Sequence, residues 1–297
     1  MKKILTQLFL ALAFFTSNAQ QINFVEYDLE NGLHVILHQD NSAPVVSATL
    51  QFHVGSKDED DGLKGFAHLF EHMLGKETKN MDSGQWGKIY SARGGSGNAS
   101  TSVDLTNYYV TVPSNSLKLA LWRYSEIMLH PIIEQETIDI QREAVKEEKR
   151  LRYNQPYVPR FYDYLKRNFF KKHPYQHPII GYFEDLDSSS LDDFLNFKEK
   201  FYAPSNAVFV VAGDIDVDET KQLISEYFDE IPYKGEKPEK NYPVEEPLSE
   251  EIRVKEYDPN IQIPALFYAF RTPAMSNRDS AVINYIAQHL SGSESSI

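Results

Sequence analysis

The residues best suited to chemistry are His68, Glu71 and His72, which lie within the run His68-Leu69-Phe70-Glu71-His72. Each residue of a helix turns by about 100°, so positions 68 and 72 lie roughly 40° apart and Glu71 shares their face. Two imidazoles one turn apart can bind a single Zn²⁺, which leaves the carboxylate beside them free to take a proton from water. The spacing therefore predicts two zinc ligands, His68 and His72, and a general base, Glu71.

An accidental meeting of three polar side chains is the alternative explanation of this run. With 9 histidines among 297 residues, the pattern should arise by chance only about 0.02 times in such a chain. The order His-x-x-Glu-His is also the known signature of the inverzincin class of zinc proteases. Chance is therefore the weaker explanation.

The motif lies in a stretch whose apolar residues predict a helix. Gly65 stands near its start and Gly75 near its end, where glycines commonly bound helices. Between them the apolar residues recur at helical spacing: Phe66, Leu69, Phe70 and Met73. The histidines would then share a helix with a strongly apolar face.

Beyond the motif, three further stretches make the chain resemble the pitrilysin (insulinase) family of zinc metalloproteases. The likeness covers nearly all of residues 24 to 297. The stretches are Gly55-Ser56-Lys57-Asp58-Glu59 with Gly65-Phe66-Ala67, then Gly94-Gly95-Ser96-Gly97-Asn98-Ala99-Ser100-Thr101, and then Phe201-Tyr202-Ala203-Pro204-Ser205-Asn206-Ala207 through Gly213-Asp214.

The resemblance implies a third zinc ligand, because the family takes a glutamate from a later helix. The run from Gln141 to Glu148 aligns Glu148 with that ligand, and the adjacent Glu147 is its competitor. Glu148 lies two helical turns after Gln141 and faces the same way, whereas Glu147 points about 100° aside. Family members often carry a glutamate at position 141 that helps to orient the site. Gln141 keeps the hydrogen-bonding capacity and loses the charge.

The resemblance also implies a substrate-binding strand at Asn98, Ala99, Ser100 and Thr101. Family members lay an extended peptide along this strand, where it pairs through backbone hydrogen bonds as an added β-strand. Without the resemblance, the stretch is a Gly-rich turn followed by a Ser/Thr strand.

The N-terminus has the layout of a secretory signal peptide at residues 1–19. Lys2 and Lys3 precede an apolar run from Leu8 to Phe15, and Ser17 and Ala19 are the small residues of a cleavage site. The run is too short to span a bilayer of about 30 Å, and no later stretch approaches the roughly 20 apolar residues of a membrane helix. We expect export, either to the periplasm or out of the cell.

Composition narrows the chemistry further. The chain has no cysteine, so a metal must be held by histidines and carboxylates. Its formal net charge is -13, which disfavours nucleic acid as a partner because phosphates bind basic surfaces.

The order of predicted elements suggests an α+β layer, in which a mixed sheet is covered by helices, and the family resemblance implies that this layer is an α/β sandwich. Strands are predicted at 33–37, 45–54, 99–103, 108–112 and 207–212, and helices at about 116–129, 134–152, 157–169 and 190–201, with another ending near 228. We assign these elements to an N-terminal zinc-binding peptidase domain at 24–230. The proline-rich, charged segment 231–250 is predicted to be an interdomain linker.

We predict that residues 251–297 are the beginning of a second, homologous domain that is incomplete. Predicted strands near 252–257 and 264–271 and a helix near 277–290 echo the order at 33–75. A complete second unit would need well over a hundred further residues. The resemblance places substrate-contacting residues in that second lobe, so a further lobe or subunit of the same family is an expected partner.

Together these patterns predict a zinc-dependent endopeptidase with one Zn²⁺ per chain, acting on peptides or unfolded segments. The alternative is a non-catalytic or half-enzyme subunit that needs a partner to supply the second lobe. A third hypothesis, an exported zinc-binding protein, predicts metal binding without turnover.

Overall fold

The computed structural model describes residues 22–259 and 261–292, so the predicted signal peptide at 1–19 lies outside the described residues. Within them, one sheet has the strand order β1-β2-β6-β3-β5-β4. Its strands are β1 (Val25–Asp28), β2 (His34–Gln39), β3 (Val45–Phe52), β4 (Ser96–Thr101), β5 (Thr106–Pro113) and β6 (Ala207–Gly213). β2 and β6 run parallel, and the other neighbours are antiparallel.

The helices are α1 (Phe66–Leu74), α2 (Gln85–Ala92), α3 (Leu117–Leu129), α4 (Gln135–Tyr153), α5 (Val158–Phe169), α6 (Phe183–Ser188), α7 (Leu191–Phe201), α8 (Val217–Phe228) and α9 (Arg278–Ser291). Over the part of the chain that the structure describes, none of them has the length and apolar character to cross a membrane.

The sheet buries one face, as the alternation of its strands requires. In β3, Val46, Ala48, Leu50 and Phe52 are buried while the residues between them are more accessible. Because successive side chains of a strand point to opposite faces, this pattern places the core on one side of the sheet. β5 alternates in the same way, and α1 and α3 both contact β5. The predicted α+β class, a mixed sheet packed by helices, is confirmed.

α1 is anchored to the core by aromatic stacking on its apolar face. The Phe66 ring stacks on Phe194 with centroids 4.3 Å apart, and Phe70 stacks on Tyr202, also at 4.3 Å. Stacked rings of this kind add roughly 0.5–1.5 kcal/mol beyond the area they bury. The packing fixes the rotation of α1 and therefore the direction of its polar face.

The prediction of two strands near 252–257 and 264–271 is wrong, because both segments lack strand structure. A strand needs hydrogen bonds from a neighbouring strand, and no described residue pairs with either segment. Their apolar side chains stay accessible, with Tyr257 87% and Phe270 82% exposed. The helix predicted at 277–290 is present as α9. The boundaries 24–230, 231–250 and 251–297 stay predictions.

Candidate metal centre

Two helices bring the three predicted ligands together. α1 carries His68 and His72 on one face, and α4 presents Glu148 to them. Oε2 of Glu148 lies 3.4 Å from Nε2 of His72 and 3.7 Å from Nε2 of His68. One donor atom from each of the three residues lies within 4.8 Å of the others. His68 is buried, whereas His72 and Glu148 are partly accessible, so the cluster opens to solvent on one side.

These separations fit a zinc ion. Tetrahedral ligands at 2.0–2.1 Å from Zn²⁺ stand about 3.3 Å from one another, close to the distances between Glu148 and the two rings. Burial, with His72 beside it, lowers the pKa of His68 to about 4, so its ring is neutral near pH 7. The lone pairs of two ring nitrogens and a carboxylate oxygen that converge in this way repel one another unless a proton or a cation lies between them. A divalent cation satisfies all three.

Glu148 is ionised and held at both oxygens. A hydrogen bond with His72, together with His68 and Arg152, lowers its pKa to about 2 despite its burial. Nη2 of Arg152 contacts the second oxygen, Oε1, at 2.5 Å, which leaves Oε2 for the metal. Sequence reasoning missed Arg152, although its position one turn after Glu148 was the available clue.

The competing carboxylate, Glu147, lies outside the cluster. Its Oε2 forms an ion pair with Nη1 of Arg150 at 3.1 Å, and both side chains are at least half exposed. The helical rotation that separates adjacent residues accounts for the difference, because α4 can turn only one of the two glutamates towards α1.

Glu71 is tied to the edge strand rather than to a ligand. The Thr101 hydroxyl on β4 donates a hydrogen bond of 2.6 Å to Oε2 of Glu71. Burial raises the pKa of Glu71, while the hydrogen bond from Thr101 and the nearby His72 oppose the rise. A carboxylate with a raised pKa, beside a metal site, suits the role of a general base.

Gln141 is buried on α4, two turns before Glu148. Among the described residues, no hydrogen bond joins its amide to His68, His72 or Glu148. Its role in orienting the site therefore stays a prediction.

β4 forms one border of the sheet and carries all four predicted substrate-binding residues. It pairs with β5 on one side, and in the described chain no strand lies on its other side. Asn98 and Ser100 are exposed, and Ala99 and Thr101 are partly buried. The Ala99 N–H donates to the Asn98 side chain at 2.9 Å. An open strand edge therefore begins beside Glu71.

A mixed sheet packed by helices, with a His-x-x-Glu-His helix facing a glutamate of a second helix, is the arrangement of an inverzincin peptidase lobe. The chain belongs to the insulinase family: the family described as Insulinase (Peptidase family M16) matches residues 34–182. The domain described as Peptidase M16 inactive domain matches residues 188–297.

The chain is similar to proteins named as zinc proteases and to proteases of known structure. Zinc protease PqqE of Helicobacter pylori is 27% identical over 270 residues, which cover 90% of this chain and 61% of that protein. A protease from Helicobacter pylori of known crystal structure has a TM-score of 0.69 at 30% identity, over 75% of this chain and 53% of that one. The periplasmic protease PqqL from Escherichia coli shares the fold, with a TM-score of 0.68 at 24% identity over 76% of this chain and 26% of that one. The chain thus spans less than two thirds of each relative.

Proposed function

We propose that this chain carries the zinc-binding half of an endopeptidase that hydrolyses peptides or unfolded polypeptide segments. One observation carries the proposal: three metal donors, from His68, His72 and Glu148, converge beside Glu71, whose carboxylate is bonded to Thr101 of an open strand edge. A metal site, a base and a backbone-binding edge are the three parts that metal-assisted hydrolysis of a peptide bond needs.

His68, His72 and Glu148 would hold the ion. Zn²⁺ supplies polarisation of the scissile carbonyl and brings the pKa of water near 7. Glu71 takes the proton of the attacking water and delivers it to the leaving amine. Its raised pKa makes both transfers easier, because a base works best when its pKa approaches the operating pH. Thr101 keeps the Glu71 carboxylate turned towards the strand edge.

The substrate would bind to β4 as an added antiparallel or parallel strand. Recognition through the backbone is tolerant of sequence, because main-chain hydrogen bonds supply the affinity. The Asn98 side chain, which accepts the Ala99 N–H, would give way to a substrate carbonyl. This mode suits extended peptides and unfolded segments rather than folded surfaces.

Activity would depend on a second lobe. Residues 251–259 and 261–292 expose several large apolar side chains, among them Leu266 (77%), Tyr268 (78%) and Met275 (91%). Apolar groups in such number are usually covered by a partner surface. We propose that further second-lobe residues, from the same protein or from a related subunit, cover them. We also propose export, to the periplasm or out of the cell, because residues 1–19 have the sequence layout of a signal peptide.

Metal dependence tests the proposal directly. We expect the purified protein to contain one zinc per chain by atomic absorption. We expect it to cleave a quenched fluorescent peptide, alone or together with a related second-lobe subunit. Removing zinc with a chelator should abolish cleavage, and adding Zn²⁺ back should restore it. Zinc without turnover, in either setting, would instead identify a zinc-binding protein.

Thr101→Val tests the hydrogen bond to Glu71. The bond lowers the pKa of Glu71, so its loss raises that pKa, and the acidic limb of the kcat/KM profile should move to higher pH. The hydroxyl also orients the Glu71 carboxylate, and hydrogen bonds to charged groups contribute about 1.5–3 kcal/mol. Loss of this orientation should therefore lower the plateau of kcat/KM roughly tenfold or more, despite the higher pKa. Thr101→Ser keeps the hydroxyl and serves as the matched control. An unmoved acidic limb in Thr101→Val would contradict this role.

A further inference from the structure

Outside the metal cluster, the described chain has a carboxylate whose side chain is fully buried, Glu59. It lies in the loop that leads from β3 into α1, and the chemistry proposed above gives it no part. Buried carboxylates are costly unless they are well hydrogen-bonded. The bonds that Glu59 makes therefore indicate why it is there.

Both carboxylate oxygens of Glu59 bind the start of α1. Oε2 accepts the N–H of Gly65 at 2.9 Å, and Oε1 accepts the N–H of Ala67 at 2.8 Å. Helix starts have unpaired N–H groups that a side chain normally satisfies. Gly65, the residue before α1, has a left-handed φ of 103° and no side chain to do so. Glu59 supplies the missing cap from six residues upstream.

The first turn of α1 also sets the position of a metal ligand. Metal-binding histidines usually donate their second ring N–H to a carboxylate or carbonyl, which fixes the ring. Nδ1 of His68 is buried, and no described residue provides it with a hydrogen-bond partner. The orientation of this ring therefore depends on the backbone that carries it, and Glu59 binds that backbone at Gly65 and Ala67, just before His68.

The side chain of His177 lies near Glu59 but does not replace the backbone N–H groups as its partner. Nδ1 of His177 lies 3.8 Å from Oε2 of Glu59 and also faces the Pro178 carbonyl. Burial lowers the pKa of His177 to about 4, so this neighbour is neutral near pH 7. Burial of Glu59 itself raises the pKa of its carboxyl group, and the hydrogen bonds from the backbone N–H groups of Gly65 and Ala67 oppose this rise. The backbone bonds are thus the main polar contacts of the carboxylate.

We propose that Glu59 is a positioning residue of the zinc site: it caps α1 and thereby sets the placement of His68, whose Nδ1 has no hydrogen-bond partner among the described residues. The inference rests on the proposed function and adds to it a residue that touches neither metal nor substrate. Its effect should appear in metal affinity and ligand geometry, beyond any effect on stability.

Glu59→Gln is the decisive variant, because it keeps the size of the side chain while placing an NH₂ group against one of two backbone donors. We expect about tenfold weaker zinc binding in competition with a chromogenic chelator, which is the scale for groups that support ligands. With Co²⁺ in place of zinc, the visible absorption bands, which report ligand geometry, should change in shape and intensity.

Asn31→Ala is the matched control. The buried Asn31 amide makes three backbone bonds: Nδ2 donates to the carbonyls of Phe228 and Ile231 at 2.8 and 3.0 Å, and Oδ1 accepts the N–H of Leu33 at 3.1 Å. None of these partners belongs to the metal site. It should lower the melting temperature as Glu59→Gln does, yet leave zinc affinity and the cobalt spectrum unchanged.

Equal zinc affinity and equal cobalt spectra in wild type and Glu59→Gln would overturn this inference alone. If Glu59→Gln does not fold, Glu59→Asp takes its place under the same criterion, because it keeps the carboxyl group and shortens the reach by one methylene. A wild-type protein without affinity for zinc would overturn the proposed function itself, and this inference with it.

Discussion

We expect Glu71→Gln to lower kcat/KM for peptide hydrolysis about a thousandfold, within the range of roughly 10²–10⁴ for loss of a general base. Glutamine preserves the shape of the side chain and still accepts the 2.6 Å hydrogen bond from Thr101. It cannot take a proton from water. Zinc content should stay at the wild-type level, because Glu71 is not one of the three converging donors. Steady-state cleavage of a quenched peptide, with zinc measured on the same samples, gives both numbers.

Glu77→Gln provides the control for this substitution. Glu77 follows α1 closely in the chain, and its backbone carbonyl accepts the N–H of Ile132, but its side chain is not part of the donor cluster. Because only a charge outside the site is lost, kcat/KM of Glu77→Gln should stay within about twofold of the wild-type value. Equal rates for Glu71→Gln and wild type would exclude Glu71 as the base, whereas a loss of zinc in Glu71→Gln would recast it as a ligand or as a structural group.

Local sequence patterns were enough to predict the helix that carries the two histidines of the candidate metal centre. The apolar spacing of Phe66, Phe70 and Met73 was enough to predict α1, since helical periodicity is a property of a few consecutive residues. It was also enough to place His68 and His72 on one face. Glu148 needed more, because its approach to α1 depends on how two helices pack across the fold. There the resemblance supplied the pairing, and helical rotation separated Glu148 from Glu147.

The order in which distant strands pair in the sheet could not be predicted from the sequence. β6 lies between β2 and β3, parallel to one and antiparallel to the other, and no local pattern encodes that order. The same limit explains the strands wrongly predicted near 252–257 and 264–271: β-branched and aromatic composition indicates that a segment suits a sheet, without showing that a partner strand is there.

Supporting contacts were missed for a related reason. Arg152 contacts one oxygen of Glu148, and the Glu59 carboxylate accepts two N–H groups at the start of α1. In the sequence, each is one charged residue among many. Only the geometry distinguishes them from surface charges such as Arg150, whose pairing with Glu147 is exposed.

Glu148→Gln should weaken zinc binding by at least about a hundredfold. Supporting groups alone contribute roughly 10–100-fold to metal affinity, and Glu148 is the one anionic donor of the three. Its pKa, lowered to about 2 by the bond with His72 and by nearby charges, keeps it ionised throughout the physiological pH range. Glutamine removes that charge while keeping the shape. Chelator competition on the apoprotein measures the change, and peptide cleavage should fall with zinc occupancy.

Glu147→Gln is the control that the chain itself provides, because it makes the same substitution one residue away on α4. Its ion pair with Arg150 is exposed, and exposed pairs contribute only about 0–1 kcal/mol to stability. Zinc affinity should therefore stay within about twofold of wild type. If instead Glu147→Gln lost zinc and Glu148→Gln kept it, α4 would have to be rotated by about 100° from the orientation described above, and the convergence of His68, His72 and Glu148 would not exist in solution.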